Sequence, residues 1–397
     1  MIVSSVQLYR NAYGGLSREV WWLALVIFIN RAGTMVIPFL SVYLTSRGYT
    51  LVQVGFVMAA FGLGSIAGAY IGGRLTDRFG HFYVQVFSLL VNGALFIVLG
   101  QMRSFWEFTI CIFILSSFGD AFRPANSAAI AAYSTESNRT RSYALNRLAI
   151  NLGWSIGPAI GGLLASVNDK LLFWADGITC MIAAAVLYHV FSPTKNKIIQ
   201  KTHKSLDELP DSAYRDRIFL RGMFFIFLVG ICFFQFVSIL PVYYREEMQL
   251  GKATIGFLLA LNGLIIVFAE MILVYKLENR RHAVLYMTIG AFLIGLAFLM
   301  LELAPMMVVV LASMIVITIG EMLLFPFMNN FWVKRSTETN RGQYAGLYTM
   351  SFSAAIVLAP TYASQVVALF GFPVLWIVNF IICSFASIGF LMLKKRM

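Results

Sequence analysis

The chain has 397 residues, of which 59% are hydrophobic and only 12% charged, and its mean hydropathy is +0.79. A soluble domain carries about 25% charged residues and would expose large apolar patches at this composition, so these values exclude a soluble globular protein. The net charge of +12 does not indicate a nucleic-acid partner, because the lysines and arginines lie in the connections between apolar runs.

Twelve apolar runs follow one another along the chain, and each is long enough to cross about 30 Å of hydrocarbon as a helix. They are residues 20–45, 52–72, 83–101, 105–133, 143–167, 170–192, 218–244, 252–276, 283–302, 306–333, 342–369 and 372–393. The sequence therefore predicts an all-α integral membrane protein with twelve transmembrane helices and with both termini on one side of the membrane.

Lysine and arginine are distributed unevenly between the connections. The termini and the even-numbered connections hold 22 of these residues, and the odd-numbered connections hold 5. Cytoplasmic loops carry the excess of positive charge in membrane proteins. Both termini are therefore predicted to be cytoplasmic, and the expected location is the plasma membrane, here a bacterial inner membrane.

The second part of the chain repeats the first at an offset of 201 or 202 residues. Gly119-Asp120 returns as Gly320-Glu321, Pro124 as Pro326, and the stretch STESNR at 134–139 as STETNR at 336–341. This predicts two pseudo-symmetric six-helix halves, 1–192 and 218–397, joined by a hydrophilic cytoplasmic linker at 193–217. Two related halves in an apolar chain are typical of a transporter with its site at the repeat interface.

The connection between the second and third runs reads GRLTDRFG and contains Gly73, Asp77, Arg78 and Gly80. It resembles the loop motif of the major facilitator superfamily, although His81 stands where the family usually has a basic residue. The glycines are expected to allow a tight turn, and Asp77 to lie at a helix N-terminus, where the macrodipole favours an anion. The resemblance implies a cytoplasmic gate that holds the two halves in one state; an ordinary turn with a solvated ion pair is the alternative.

The fifth run contains GWSIGPAIGG, with Gly153, Gly157, Pro158, Gly161 and Gly162. It resembles the fifth-helix motif of the drug:proton antiporter branch of the same superfamily. Small residues three or four positions apart let helices approach closely, and proline kinks a helix. The motif is expected to form a tight, bendable contact with a neighbouring helix; general small-residue packing is the alternative.

Ionisable residues inside the membrane are functional candidates because each is costly to hold in hydrocarbon. Arg31, Asp120 and Glu321 all fall about 16–20 Å from the cytoplasmic face at 1.5 Å per residue. Asp120 is expected to pair with Arg31 or Arg123, either as part of the site or as a structural ion pair. Glu321, with no evident cationic partner in its own half, is the first candidate for proton coupling; a structural carboxylic acid is the alternative.

Further polar groups are candidates for a central cavity, which the family resemblance implies is lined by helices 1, 4, 7 and 10. Gln235 adds a polar group in the seventh run, and Asn30 one in the first. Glu270 is a second proton site, an inner-gate residue or a water-exposed carboxylate. Asp176 and Glu302 lie near the outer ends of their runs and are expected at the membrane interface.

The resemblance to the superfamily covers the whole chain and implies alternating access driven by the proton gradient, with no cofactor or metal and no enzymatic activity. The first functional hypothesis is proton-coupled export of small amphipathic molecules, by a monomer that contacts substrate, protons and lipids. Asn30-Arg31 and Gly320-Glu321 are also similar to proton-coupled peptide transporters, although Ile27 and Asn30 replace their acidic residues. The alternative is therefore a proton-coupled importer of peptides or another polar nutrient; a channel, scramblase or receptor represents a different class.

Overall fold

The computed structural model describes residues 15–135, 138–191, 212–277, 283–335 and 341–394. Within these ranges all regular structure is helical, because a helix satisfies its own backbone polar groups in hydrocarbon. In the first half of the chain, span 1 comprises the helices Arg18–Ala32 and Val36–Ser46, and spans 2 to 6 are Leu51–Phe79, His81–Leu99, Phe105–Tyr133, Arg139–Val167 and Lys170–Val190. In the second half, span 7 comprises Arg217–Phe233, Gln235–Ser238 and Leu240–Glu246, and spans 8 to 10 are Lys252–Leu277, Ala283–Met300 and Met307–Arg335. Spans 11 and 12 are the parts of Arg341–Lys394 before and after Gly371.

The number of crossings depends on the last helix. The described residues contain eleven helical stretches that are long and apolar enough to cross a membrane, and the last of them has 49 residues. Because about 20 helical residues cross the hydrocarbon, this stretch represents two crossings. The chain turns at Gly371, whose φ of 80° and ψ of 173° are not helical. The described ranges thus hold twelve spans, which confirms the predicted all-α membrane fold.

Spans 1 and 7 occupy equivalent positions in the repeat, and both are broken. Span 1 is interrupted between Ala32 and Val36, and span 7 at Phe234 and Ile239. Neither interruption coincides with a proline inside a helix, although Pro38 and Pro241 lie in the first turn of the helix that follows. The apolar runs gave no sign of these breaks, since the hydropathy of both segments continues across them.

The chain forms two compact units by contact. The first contains Met1–Ile37, Ala60–Lys197 and Lys252–Gly263, and the second contains Pro38–Ala59, Ile198–Gly251 and Leu264–Met397. The first unit therefore includes the beginning of span 8, and the second includes the end of span 1 and the beginning of span 2. The division of the chain into halves 1–192 and 218–397 stays a prediction. Most of the predicted linker, 193–211, lies outside the described residues, and its last part contains the 3-10 turn Ala213–Arg215.

Each unit has its own apolar core. In the first unit, Leu23, Ile27 and Phe122 belong to a buried cluster shared by spans 1, 3, 4, 5 and 6. In the second unit, the ring of Trp376 stacks on Phe298 with centroids 5.2 Å apart. The functional side chains described below lie on helices whose other faces are fixed by these cores.

Candidate functional site

Asp120 is a buried charged group in the middle of span 4. Its side chain is 8% exposed, and its Oδ1 lies 2.6 Å from Nε of Arg123, which is 57% exposed. The hydroxyl of Ser65, on span 2, donates a hydrogen bond to the other carboxylate oxygen. The spacing of three residues places Asp120 and Arg123 on one helix face. Of the two cations expected as its partner, Arg123 makes the salt bridge.

Arg31 belongs to the same cluster of charges. It ends the first helix of span 1 and lies within electrostatic range of both Arg123 and Asp120. Its Nε atom is buried and has no hydrogen-bond partner among the described residues. The cluster of Arg31, Arg123 and Asp120 contains two guanidinium ions and one carboxylate, so it has a local excess of positive charge.

Glu321 occupies the position in span 10 that Asp120 occupies in span 4. Both spans are helices of 29 residues with a proline shortly after the acid. Glu321 is half-buried and takes part in an interaction with another residue. A role in proton coupling therefore cannot be based on its isolation, and that role stays a prediction.

Glu270 and Gln235 are placed differently from their predicted roles. Glu270 is only 8% exposed and is also engaged with another residue, so the alternative of a water-exposed carboxylate is wrong. Gln235 is fully buried, and its side-chain amide exchanges two hydrogen bonds with Asn379 of span 12, at 3.0 and 2.8 Å. Because these hydrogen bonds join two spans, the amide of Gln235 does not face a cavity, which contradicts its predicted place in a cavity wall.

Asp176 is a buried acid whose position the sequence did not reveal. It lies on span 6 and is 1% exposed, so the protein covers its side chain, and its expected depth near the membrane interface stays a prediction. Its carboxylate accepts hydrogen bonds from the backbone N–H groups of Met35 and Val36, at the break of span 1. On the same helix, Cys180 accepts a hydrogen bond of 3.4 Å from Asn30. The predicted cavity residue Asn30 is thus half-buried and held by span 6.

The glycines of the fifth-span motif pack against two helices. A Cβ atom on Gly153 would lie 2.5 Å from Cβ of Arg31, and one on Gly157 would lie 2.9 Å from the carbonyl oxygen of Thr34. Gly161 faces Met35 in the same way. Pro158 and Gly162 belong to the other contact: a Cβ on Gly256 of span 8 would lie 2.3 Å from the carbonyl oxygen of Pro158 and 3.0 Å from Cα of Gly162. The motif thus lies against the break of span 1 and the beginning of span 8.

The loop motif is only partly a loop. Gly73 and Arg78 lie inside the helix Leu51–Phe79, so the prediction that Gly73 belongs to the turn is wrong. The turn is formed at Gly80, whose φ of 88° favours glycine. The guanidinium of Arg78 lies 5.2 Å from the centre of the Phe79 ring. The side chain of Asp77 lies outside the described part of the structure, so its contact with a helix terminus stays a prediction.

A second glycine stripe, which the sequence analysis missed, positions span 2 against span 4. A Cβ atom on Gly64 or Gly68 would lie within 2.2 Å of a backbone carbonyl oxygen of span 4, and one on Gly72 would lie 2.5 Å from Cα of Ala121. The spacing of four residues was the available signal, since it places small residues on one face. This close approach brings Ser65 to Asp120.

Comparison with known proteins agrees with this architecture. The family model described as Major Facilitator Superfamily matches residues 23–360. The chain is 24% identical over 376 residues to a Na(+), Li(+), K(+)/H(+) antiporter of Planococcus maritimus, covering 87% of this chain and 88% of the relative. It is 22% identical over 268 residues to the quinolone resistance protein NorA of Staphylococcus aureus, covering 66% of this chain and 67% of that protein.

The fold is also found among solved structures. A POT family transporter in complex with 5-aminolevulinic acid superposes with a TM-score of 0.79 over 97% of both chains, at 15% identity. At that identity the likeness concerns the fold alone. The family model covers far more than half of the sequence, and its members are transporters and not enzymes. The chain therefore belongs to the Major Facilitator Superfamily.

Proposed function

We propose that this secondary transporter exports small amphipathic molecules in exchange for protons. The observation that carries the proposal is the pair formed by Asp120 and Arg123 in the middle of span 4. A carboxylate at this depth must be either paired or protonated, because an isolated charge is strongly disfavoured there. Its partner Arg123 is 57% exposed, so the guanidinium can leave and a proton can take its place.

Alternating access couples this exchange to transport. When Asp120 is ionised, a cationic or polar group of the substrate can replace Arg123 at the carboxylate; when Asp120 takes up a proton, it no longer holds that group and the substrate is released, so that proton and substrate exclude each other at the site. Glu321 is the equivalent acid of the second half and is proposed as the second proton site. Asp77 is proposed to steady one end state. We place the protein in the bacterial inner membrane with both termini in the cytoplasm, on the distribution of lysine and arginine.

The names of the relatives support exchange with protons and a role in drug resistance. One is named as a cation/proton antiporter and another as a quinolone resistance protein. The excess of guanidinium groups favours one alternative, uptake of an anionic or zwitterionic nutrient such as a peptide, because Arg31 retains an unused buried donor among the described residues. Exchange of alkali cations for protons is favoured by the antiporter relative alone.

Transport in proteoliposomes with an imposed pH gradient distinguishes these functions. Ethidium, a dipeptide and rubidium ions are offered separately to wild type, Asp120→Asn and Glu321→Gln. Glu302→Gln is the matched control, since it makes the same chemical change outside the spans. We expect ethidium to move against the proton flow in wild type and in the control, and the gradient-driven part to be lost in Asp120→Asn.

Other outcomes select other functions. Movement of the dipeptide with the proton flow establishes import, and rubidium movement against it establishes cation exchange. Flux that ignores the gradient in all four proteins overturns proton coupling. If Glu321→Gln alone loses coupling, the coupling proton is assigned to Glu321 in the second half, and Asp120 has a structural role.

A further inference from the structure

The break of span 1, between Ala32 and Val36, is held in place by contacts with span 6, and we call this break the joint. The helix Arg18–Ala32 ends, and the next helix begins at Val36. The first N–H groups of a helix have no partner within it, and in hydrocarbon each unsatisfied group is costly. Met35 and Val36 supply two such groups in the middle of the span. The break is therefore tolerated only because something outside span 1 accepts their hydrogen bonds.

Asp176 is that acceptor. The N–H of Met35 lies 3.2 Å from each carboxylate oxygen, and the N–H of Val36 lies 2.7 Å from Oδ2. An anion at a helix N-terminus is also favoured by the macrodipole. In the part of the chain that the structure describes, backbone amides and no cationic side chain are in contact with this carboxylate.

The same helix holds the other side of the joint. Cys180, about one turn after Asp176, accepts a hydrogen bond from Asn30. Between these contacts, a Cβ atom on Gly33 would lie 1.9 Å from Oγ1 of Thr179. Residues before, within and after the break are thus each in contact with span 6. Arg31 lies between Asn30 and Gly33, so its backbone is held on both sides by contacts with span 6.

The second half builds the equivalent joint without a charge. Span 7 breaks at Phe234, and Gln235 next to the break exchanges two amide hydrogen bonds with Asn379 of span 12. Asn379 stands 203 residues after Asp176, close to the repeat offset. A neutral amide therefore suffices to hold a broken span in this fold. The first half differs in that its broken span carries a half-buried arginine, Arg31, whose Nε atom is buried.

We propose that Asp176 is a positioning residue of the transport site, whose carboxylate fixes the break of span 1 and so directs Arg31 toward Asp120 and Arg123. A carboxylate can accept from both amides with both oxygens, whereas an asparagine offers one oxygen and turns two N–H donors toward the backbone N–H groups. The isosteric change Asp176→Asn therefore releases the joint without altering the volume of the buried side chain. The proposal depends on the family fold and not on the direction or the proton coupling of transport.

The test compares wild type, Asp176→Asn and two controls in lipid nanodiscs. Amide hydrogen exchange is followed by mass spectrometry on peptides that cover 30–37 and 231–239, and labelling of the four buried cysteines by N-ethylmaleimide is followed in parallel. Glu302→Gln controls for the loss of an acid, and Asn379→Ala for the loss of the other joint. No substrate is needed, so failure of the proposed export function does not affect the outcome.

We expect Asp176→Asn to exchange the 30–37 peptide about tenfold faster than wild type and to expose Cys180 alone among the cysteines. Asn379→Ala should instead affect 231–239, and Glu302→Gln neither segment. Equal acceleration everywhere, or labelling of all four cysteines, assigns Asp176 to general stability and overturns the proposal. Fast exchange of 30–37 in wild type itself also overturns it, whether or not the variant folds.

A double-mutant cycle tests the positioning of Arg31 directly. Thermal unfolding is measured for Arg31→Gln in the wild-type and in the Asp176→Asn background. We expect the two changes to be non-additive, because a released joint no longer holds Arg31 near Asp120, whereas Asn379→Ala and Arg31→Gln should be additive. Additivity in both cycles means that Asp176 holds the break without positioning Arg31.

Discussion

Arg123 compensates a buried charge more than it adds stability of its own. Asp120 is 8% exposed, and Arg123 and Ser65 are in contact with its two oxygens. We predict that Arg123→Ala destabilises the protein by about 1–3 kcal/mol, because it leaves a buried acceptor with one partner fewer. Adding Asp120→Asn should recover most of this loss, since removing both charges removes the need for the pair. Thermal unfolding of the single and double variants in detergent measures both effects. A double variant less stable than Arg123→Ala contradicts this account.

Asp216 is a carboxylate outside the spans that is surrounded by hydrogen-bond donors. Its Oδ1 accepts from the N–H groups of Ile218 and Phe219, Arg335 donates to both oxygens at 2.8 Å, and the hydroxyl of Tyr344 donates at 3.0 Å. Burial raises the pKa of Asp216, but the hydrogen bonds from Arg335, Phe219 and Tyr344 lower it more, and the net pKa is below its usual value.

The sign of this pKa shift predicts the pH dependence. Asp216 stabilises the folded state above the pKa that it has in the unfolded chain, and this contribution is lost as the pH falls through its lower folded pKa. We expect Asp216→Asn to lose about 0.5–2 kcal/mol at neutral pH and the difference from wild type to vanish in acid. Burial raises the pKa of Glu302, so Glu302→Gln should show the reverse, a gain at neutral pH that disappears in acid. The measurement is the free energy of unfolding of the three proteins as a function of pH. Parallel curves for Asp216→Asn and wild type would contradict the lowered pKa of Asp216.

The glycine stripe of span 2 makes a matched pair of substitutions available. A Cβ atom on Gly72 would lie 2.5 Å from Cα of Ala121, whereas one on the next residue, Gly73, would have nothing within 4 Å. We predict that Gly72→Ala destabilises by about 1–3 kcal/mol, as overpacking does, and displaces span 2 from span 4. Gly73→Ala should be neutral or slightly stabilising, since alanine favours a helix over glycine.

The measurement is the melting temperature of the two variants, together with transport of the same probes. Equal behaviour of Gly72→Ala and Gly73→Ala would mean that spans 2 and 4 are not held by this close approach. Since Gly73 belongs to the loop motif that resembles the family pattern, a neutral Gly73→Ala would also show that its conformational freedom is not needed there.

The sequence was sufficient for the spans and insufficient for their irregularities. Hydropathy alone located span 4 at 105–133, and the sequence left Arg31 and Arg123 as possible partners of Asp120, of which Arg123 makes the salt bridge. The breaks of spans 1 and 7 were not foreseen, because each is stabilised by a residue more than 140 positions away, Asp176 or Asn379. Gln235 was misplaced for the same reason: a polar residue in an apolar run has the same pattern whether it lines a cavity or binds another span.

Across the whole molecule, the duplication and the contact units do not follow the same boundaries. The repeat divides the chain near its middle, but the first unit takes Lys252–Gly263 from span 8. Within that unit, Gly162 of span 5 and Gly256 of span 8 approach so closely that a Cβ on either would lie 3.0 Å from Cα of the other. Beside this contact, Nζ of Lys252 lies 2.6 Å from both carboxylate oxygens of Asp169. Helices of both sequence halves are therefore held together here by packing and by charge.

The proposed alternating access predicts that this contact opens in each transport cycle. We predict that joining Asp169→Cys to Lys252→Cys with a short bifunctional methanethiosulfonate stops transport, and that reduction restores it. The native cysteines are all buried, so they need not be removed. The two single-cysteine variants and the pair Asp169→Cys with Lys170→Cys, which joins two neighbouring residues of the chain at the beginning of span 6, serve as controls and should keep their transport after the same treatment. Initial rates in proteoliposomes, before and after reduction, are the measurement. Undiminished transport by the cross-linked pair would mean that spans 5 and 8 stay together throughout the cycle, and the movement that exposes the site would then have to occur elsewhere.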